Sequence, residues 1–255
     1  MSNWVFASAS VRGTSHVRAG TRLQDARRSF VLTAPSGTSV FCGVVSDGAG
    51  SAKFGGEGAS IVCRTFATGI QRFFEMEPAL PDEETIWSWI DEARDRISSA
   101  AKKRDLGPRD FAATLVLVLA TPQQVLTCHI GDGAVVGREA DTGEWVTLSL
   151  PENGEYASTT YFITDDQGPR ARLQVHDGEF NALAAFSDGI EGLVIDSATG
   201  SPHPGFFQPT IRPLEISETS GRQEKLSRQL AQFLDSGRIN ERTDDDKTLV
   251  IACRR

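Results

Sequence analysis

Ser39-Val40-Phe41-Cys42-Gly43-Val44-Val45-Ser46-Asp47-Gly48 is an apolar run that ends in an acid and a turn residue. Val40 to Val45 is apolar on both faces, which predicts a strand in the interior of a sheet. The same grammar recurs at Ile130-Gly131-Asp132-Gly133 and at Ala185-Phe186-Ser187-Asp188-Gly189. Its mirror stands near the C-terminus, where Asp244-Asp245-Asp246-Lys247 enters Thr248-Leu249-Val250-Ile251. Hard divalent cations take oxygen ligands, and carboxylates at the ends of neighbouring strands can supply them. The chain therefore reads as a site for Mg²⁺ or Mn²⁺ assembled from distant segments.

Around that first strand, Trp4 to Ser10 and Ser29 to Ala34 are further strand candidates, bounded by turn residues such as Ala34-Pro35-Ser36-Gly37. Two helical patterns follow. Between Gly58 and Glu75, apolar residues recur at Val62, Phe66, Ile70 and Phe73/Phe74. From an N-cap at Asp82 they recur at Ile86, Trp89/Ile90, Ala93 and Ile97, with acids early and bases late as the helix dipole prefers. Strand patterns return at Ala112 to Leu119, Gln124 to Ile130, Ala134 to Arg138, Glu144 to Leu148, Tyr161 to Thr164, Arg172 to Val175 and Ala182 to Phe186. A last helix is predicted from Arg222 to Leu234, with Ser220 and Gln223 as a capping box and Gly237 as its stop, before a strand from Thr248 to Ala252. The proline-rich segment Gly200 to Pro213 reads as an irregular excursion. This order lacks the regular alternation of a doubly wound parallel fold. It fits an α+β chain of antiparallel sheets packed on each other with helices outside. No linker composition divides the 255 residues, so a single domain, 1–255, is expected.

A net charge of −8 argues against nucleic acid or an anionic membrane as the main partner. No apolar stretch is long enough to span a bilayer, and Met1-Ser2-Asn3-Trp4 lacks a basic, apolar leader. The expected location is the cytoplasm. Cys42, Cys63, Cys128 and Cys253 stand singly, mostly in apolar runs, and are expected as reduced core thiols.

The ordered set Gln24-Asp25, Asp47-Gly48, Gly131-Asp132-Gly133, Ser187-Asp188-Gly189 and Asp245-Asp246-Lys247-Thr248 resembles the metal-dependent, type 2C serine/threonine protein phosphatases, most of all their bacterial branch. Any one Asp-Gly is also a good hairpin turn; five motifs in the family's order carry the resemblance together. It implies a four-layer αββα sandwich of two antiparallel sheets, with the site in a cleft at one end. It implies that Asp47 bridges two metal ions with help from the Gly48 carbonyl, and that Asp188 and Asp245 complete the second ion's shell. Asp25 would hold the waters around the ions, and Asp132 would help a third ion; for Asp132 a plain hairpin acid is an equal reading. The implied reaction is hydrolysis of a phosphoserine or phosphothreonine protein by metal-activated water, with no phosphoenzyme. A cognate Ser/Thr kinase is an implied partner.

Two positions depart from the family's pattern. The residue after Asp47-Gly48, often a histidine in eukaryotic relatives and proposed there as general acid, is Ala49 here. The family's phosphate-binding arginine, five residues before the acid matched by Asp25, is Gly20, with Arg18 and Arg22 flanking it. Arg18 and Arg22 are therefore candidate phosphate contacts by chemistry though not by spacing. His16 is a third candidate, with loop packing as the alternative. These departures keep open two other readings: a phosphatase-like regulatory or phospho-binding module of little turnover, and a purely structural cation-binding sandwich.

Overall fold

The computed structural model describes residues 3–151 and 160–255; Met1 and Ser2, within the expected leaderless terminus, lie outside it. Strand β1 (Trp4–Val11) and a short helix α1 (Thr14–Ala19) precede the hairpin of β2 (Ala26–Thr33) and β3 (Ser39–Ser46). Helices α2 (Gly55–Met76) and α3 (Glu83–Lys102) follow. Then come β4 (Leu115–Ala120), β5 (Gln124–Ile130), β6 (Ala134–Glu139), β7 (Trp145–Ser149), β8 (Arg172–Asp177) and β9 (Phe180–Phe186). The chain continues through α4 (Asp188–Val194), α5 (Pro204–Glu215), β10 (Gly221–Arg222), α6 (Glu224–Leu234) and α7 (Gly237–Asn240) to β11 (Lys247–Arg254).

The strands form two sheets, in the orders β10-β1-β11-β9-β6-β7 and β2-β3-β4-β5-β8. Pairing is antiparallel throughout except between β1 and the two-residue β10. The stretch Val40 to Val45 is interior, as its two apolar faces demand: β3 lies between β2 and β4.

Each face of β3 serves a different core. Phe41 and Val45 meet Trp4, Phe6 and Val250 of the other sheet in the layer between the sheets, where the Trp4 and Phe41 rings pack at a tilt of 35° with centroids 5.4 Å apart. Val40, Cys42 and Val44 face outward onto α2 and α3. There the stripe Val62, Phe66, Ile70 and Phe74 on α2 meets Ile86, Trp89, Ile90, Ala93 and Ile97 on α3. The Asp82 side chain caps α3, accepting from the Thr85 amide at 2.9 Å. A third core, on the far side of the first sheet, packs α4, α5 and α6 against Val5, Ala184, Phe186 and Ile251. The architecture is thus helix, sheet, sheet, helix, an α+β sandwich of four layers. All four cysteines are free and buried, and among the described residues no helix is long and apolar enough to cross a membrane.

Several local expectations are corrected. Residues 200–213 are not an irregular excursion, because α5 begins at Pro204 in its first turn and carries Pro209 and Pro213 inside it. An internal proline disfavours a helix by roughly 3 kcal/mol. Burial of Phe207, Ile211 and Leu214 on one face offsets that at roughly 1.5–3 kcal/mol for each large side chain. Tyr161 to Thr164 is a turn, since the Asp165 carboxylate captures the Phe162 amide at 3.0 Å and the Asp165 amide returns to the Phe162 carbonyl. The helix expected at Arg222 begins at Glu224, with Gln223 as its cap; the Gln223 side chain bonds Thr219 and Ser217 and makes no capping box with Ser220. Arg222 goes to β10 instead. Gly237 opens α7 where a helix stop was expected; α6 has already ended at Asp235. Helix α1, not anticipated, is six residues long and ends at Gly20 in a left-handed conformation, φ 71°.

Candidate metal centre

The acids meet because the sheets place their strand ends at one edge of the sandwich. Asp47 follows β3 directly, and the backbone there is pinned by Thr114, whose amide donates to the Asp47 carbonyl (2.8 Å) and whose hydroxyl accepts from the Asp47 amide (3.0 Å). Asp132 sits in the turn that carries the chain from β5 in one sheet to β6 in the other, so the expected hairpin is corrected to a crossover between sheets. It stands between Gly131 and Gly133, whose φ values of 95° and 91° only glycine adopts freely. Asp188 opens α4 immediately after β9. Gly189 behind it is required by contact, since a Cβ there would stand 1.8 Å from the Asp246 carbonyl oxygen.

Carboxylate oxygens of Asp47, Asp132 and Asp188 all lie within 4.8 Å of one another. Asp25, on the segment entering β2, is buried beside them, its Oδ2 accepting from the Ser187 hydroxyl at 2.8 Å. Asp245 is the most open of the five expected acids, with its side chain 49% exposed; its charge still raises the pKa of both Asp132 and Asp188. The structure therefore brings all five together, with Asp132 inside the tightest group and Asp245 at its rim.

The electrostatics show what such a cluster lacks. Burial, then the charges of Asp25 and Asp188, hold the Asp47 carboxyl well above its ordinary value. Burial, Asp132 and Asp245 push Asp188 up to about 8. Asp25 rises to about 6 by burial, opposed by hydrogen bonds from Thr248, Asp47 and Ser187. Burial also raises Asp132, opposed by the Thr160 hydroxyl donating to its Oδ2 at 2.8 Å. Asp25 Oδ1, Asp132 Oδ1 and Asp188 Oδ1 are buried with no hydrogen-bond partner among the described residues. Buried acceptors without donors, converging from separate elements, are the donor set a hard cation satisfies. The residues present fit a divalent metal centre.

The other expected site residues divide. The exposed Arg18 on α1 is engaged with Asp244 at 2.7 Å, and Arg22 is exposed with no ion pair among the described residues. His16 does approach the cluster, with Nε2 3.8 Å from Asp245 Oδ1. Its Nδ1 stands 2.9 Å from Asp246 Oδ1, so its nearest contact is the packing of this loop. Asp246 is fully buried and a scaffold, accepting from the amides of Gly13 (2.6 Å) and Gln24 (2.5 Å), which ties β11 to the segment that carries Asp25. Ala49 is buried and offers no proton.

Glu191 was not anticipated. It accepts from the Gly133 amide at 3.1 Å, and burial, with Asp132 nearby, raises it to about 7. Its signal was present: it stands three residues after Asp188, on the same face of α4. His129, next to the turn that carries Asp132, is a buried strand residue, bonded to Ser149 Oγ (2.8 Å) and the Asp132 carbonyl (3.2 Å); burial lowers it to about 4.

Residues 12–235 match the model of the family described as Protein phosphatase 2C. The chain belongs to the protein phosphatase 2C family. The match spans Asp25, Asp47, Asp132 and Asp188 and stops short of Asp245. The whole chain is 37% identical over 253 residues to serine/threonine-protein phosphatase 3 of Escherichia coli (strain K12), covering 98% of each. Among solved structures it resembles the catalytic domain of the serine/threonine protein phosphatase PstP, in complex with two manganese ions, with TM-score 0.62, 16% identity, and 100% and 99% of the two chains covered. PppA of Pseudomonas aeruginosa, described as a key regulatory component of T6SS, gives 0.61 at 17% identity with 100% of both chains covered. At such identities these structures speak for the fold. The chain is a metal-dependent serine/threonine protein phosphatase.

Proposed function

We propose that residues 1–255 form a single phosphatase domain whose centre is built from Asp47, the Gly48 carbonyl, Asp188 and Asp245 around two Mn²⁺ or Mg²⁺ ions. Asp132 holds a third ion or shares the first two, and Asp25 orients water. The observation that carries this reading is the convergence of Asp47, Asp132 and Asp188 within 4.8 Å with three orphaned carboxylate oxygens beside them.

Two bound divalent cations supply a water that is acidic enough to ionise near neutral pH and draw charge off the phosphoryl oxygens. The chain's own residues support direct hydrolysis. Asp47, Asp132 and Asp188 offer only carboxylates, and the neighbouring hydroxyls of Ser187 and Thr160 are spent on Asp25 and Asp132. No cysteine is available as nucleophile: all four are buried, and burial pushes Cys63 and Cys128 up to about 12. With Ala49 beside Gly48, no side chain at that position gives a proton to the leaving serine or threonine alkoxide. The hydrogen bond from Ser187 to Asp25 holds that carboxylate, and the paired bonds of Thr114 pin the Asp47 backbone, before substrate arrives.

The proposed substrates are phosphoserine and phosphothreonine proteins, the proposed partner is a cognate Ser/Thr kinase, and the proposed location is the cytoplasm. The test is phosphate release from a phosphothreonine peptide with Mn²⁺, Mg²⁺ or EDTA, beside Asp47→Asn. Turnover that needs a metal and is lost in the variant upholds the assignment. Turnover that survives Asp47→Asn places the metal centre elsewhere.

A further inference from the structure

On the face of the first sheet opposite the second sheet, a groove of about 560 Å³ runs between α5 and α6. Its floor is Ala7 of β1 and Ile251 of β11. One wall is the α5 face of Phe206, Pro209 and Pro213, and the other is the α6 face of Leu226, Leu230 and Phe233. The helices meet at the Phe206–Phe233 ring contact, centroids 5.9 Å apart. The volume falls in the roughly 300–1,000 Å³ range of small-molecule sites. Pro209 and Pro213 line the groove with ring carbons and no amide donors.

The charge at its mouth is one-sided. Arg238 and Arg242, four residues apart across the α7 turn, line the groove, and no carboxylate does. Among the described residues neither arginine forms an ion pair, although the chain carries a net charge of −8. Two like charges at this spacing repel. An anion seated between them removes that repulsion and gains charge-assisted hydrogen bonds.

We propose that this groove binds a small amphiphilic anion, an aliphatic chain lying between α5 and α6 with its carboxylate on Arg238 and Arg242, and that its occupancy is felt at the metal centre. The second half rests on the phosphatase reading; the first does not. The route is short. Leu193, which lines the groove, is on the helix that Asp188 opens, five residues or roughly 7.5 Å along it. On the other side, α7 leads directly into Asp244-Asp245-Asp246, and its Asn240 side chain accepts from the buried Lys247 ammonium at 2.7 Å.

Calorimetric titration of the Mn²⁺-loaded chain with decanoate tests it, with decanol and decylamine as neutral and cationic counterparts. Saturating inorganic phosphate is included to occupy the catalytic centre. The expected result is that decanoate binds at least about tenfold more tightly than either counterpart. The double variant Arg238→Gln, Arg242→Gln should lose that advantage while its basal p-nitrophenyl phosphate turnover stays at the wild-type value. Equal binding of the three amphiphiles, or binding indifferent to the arginines, overturns the site. In the second arm, turnover without added phosphate should change on saturation with decanoate in the wild type and not in the double variant. Unchanged turnover overturns the coupling. A chain that binds decanoate yet hydrolyses nothing with any metal refutes the phosphatase reading and leaves the groove assignment standing.

Discussion

Replacing Asp188 by Asn should stabilise the metal-free protein at pH 8 while abolishing its response to metal. The reason lies in the sign of its titration. Burial and the charges of Asp132 and Asp245 raise Asp188 from 3.8 to about 8 in the folded protein. A carboxyl raised in this way contributes stability that is fully present below the unfolded value and is lost as pH rises through the folded one. At about 1.4 kcal/mol per pH unit, the whole displacement corresponds to roughly 6 kcal/mol against the ionised form. Asp47 also hydrogen-bonds both Asp25 and Asp188, so one proton relieves several carboxylates at once. Water can also enter at the exposed Asp245, so the expected gain is reduced to about 1–3 kcal/mol. At pH 5, where Asp188 is already neutral, the near-isosteric amide should change little. Urea unfolding in EDTA at pH 5 and pH 8 reads both values. In Mn²⁺ the order should invert, because binding to the folded state stabilises the wild type by mass action and the variant has lost a ligand. If Asp188→Asn in EDTA at pH 8 is less stable than wild type by about 1 kcal/mol or more, the carboxylate is favourably paired without metal, and the account of a mutually repelling cation site fails.

Further outcomes follow from the same geometry. Asp47→Asn should reduce Mn²⁺-dependent p-nitrophenyl phosphate turnover by more than ~100-fold, with an unchanged far-ultraviolet circular dichroism spectrum. Asp246→Ala removes the acceptor of two backbone amides and the partner of His16; urea denaturation should show a loss of about 3–5 kcal/mol. Gly189→Ala puts a methyl group 1.8 Å from the Asp246 carbonyl oxygen. It should destabilise the fold by at least ~2 kcal/mol and, by displacing Asp188, lower turnover about 100-fold. Melting temperature at pH 8 should rise on adding Mn²⁺ and fall back with EDTA, and the rise should be smaller at pH 5, where protons compete for the same carboxylates.

The parts that could be read from sequence are those in which one local pattern satisfies two demands. Val40 to Val45 had to be interior because both its faces are apolar, and the Asp47-Gly48 that ends it is both a stop signal and, in the proposed centre, a ligand. The stripes of α2 and α3 bury what their spacing exposes to the core, so period and packing agree. Helix α5 could not be read that way, because Pro209 and Pro213 argue locally against a helix that only the burial of Phe207, Ile211 and Leu214 overrides. The turn at Phe162 is held by the Phe162 amide donating to the Asp165 carboxylate and the Asp165 amide donating back to the Phe162 carbonyl, which propensity does not report.

Within the site, sequence identified the acids but not their ranking. Gly131-Asp132-Gly133 reads locally as a hairpin, but β5 and β6 belong to different sheets and the turn is a crossover between them. The place of Asp132 inside the tightest carboxylate group follows from where the chain crosses from one sheet to the other between β5 and β6, which is a property of packing. Asp246 and Asp245 are neighbours in sequence and opposites in role: one is buried beneath backbone amides, the other is half in water. Both precede β11, which begins at Lys247, and the bend at Asp245 leaves it open while Asp246 is drawn in under the amides of Gly13 and Gln24. Separate partners explain why three consecutive acids are tolerated here. Asp244 is spent on Arg18 and Asp246 on the amides of Gly13 and Gln24, while Asp245, which accepts from the Asp246 amide at 2.8 Å, is the one of the three whose charge raises both Asp132 and Asp188.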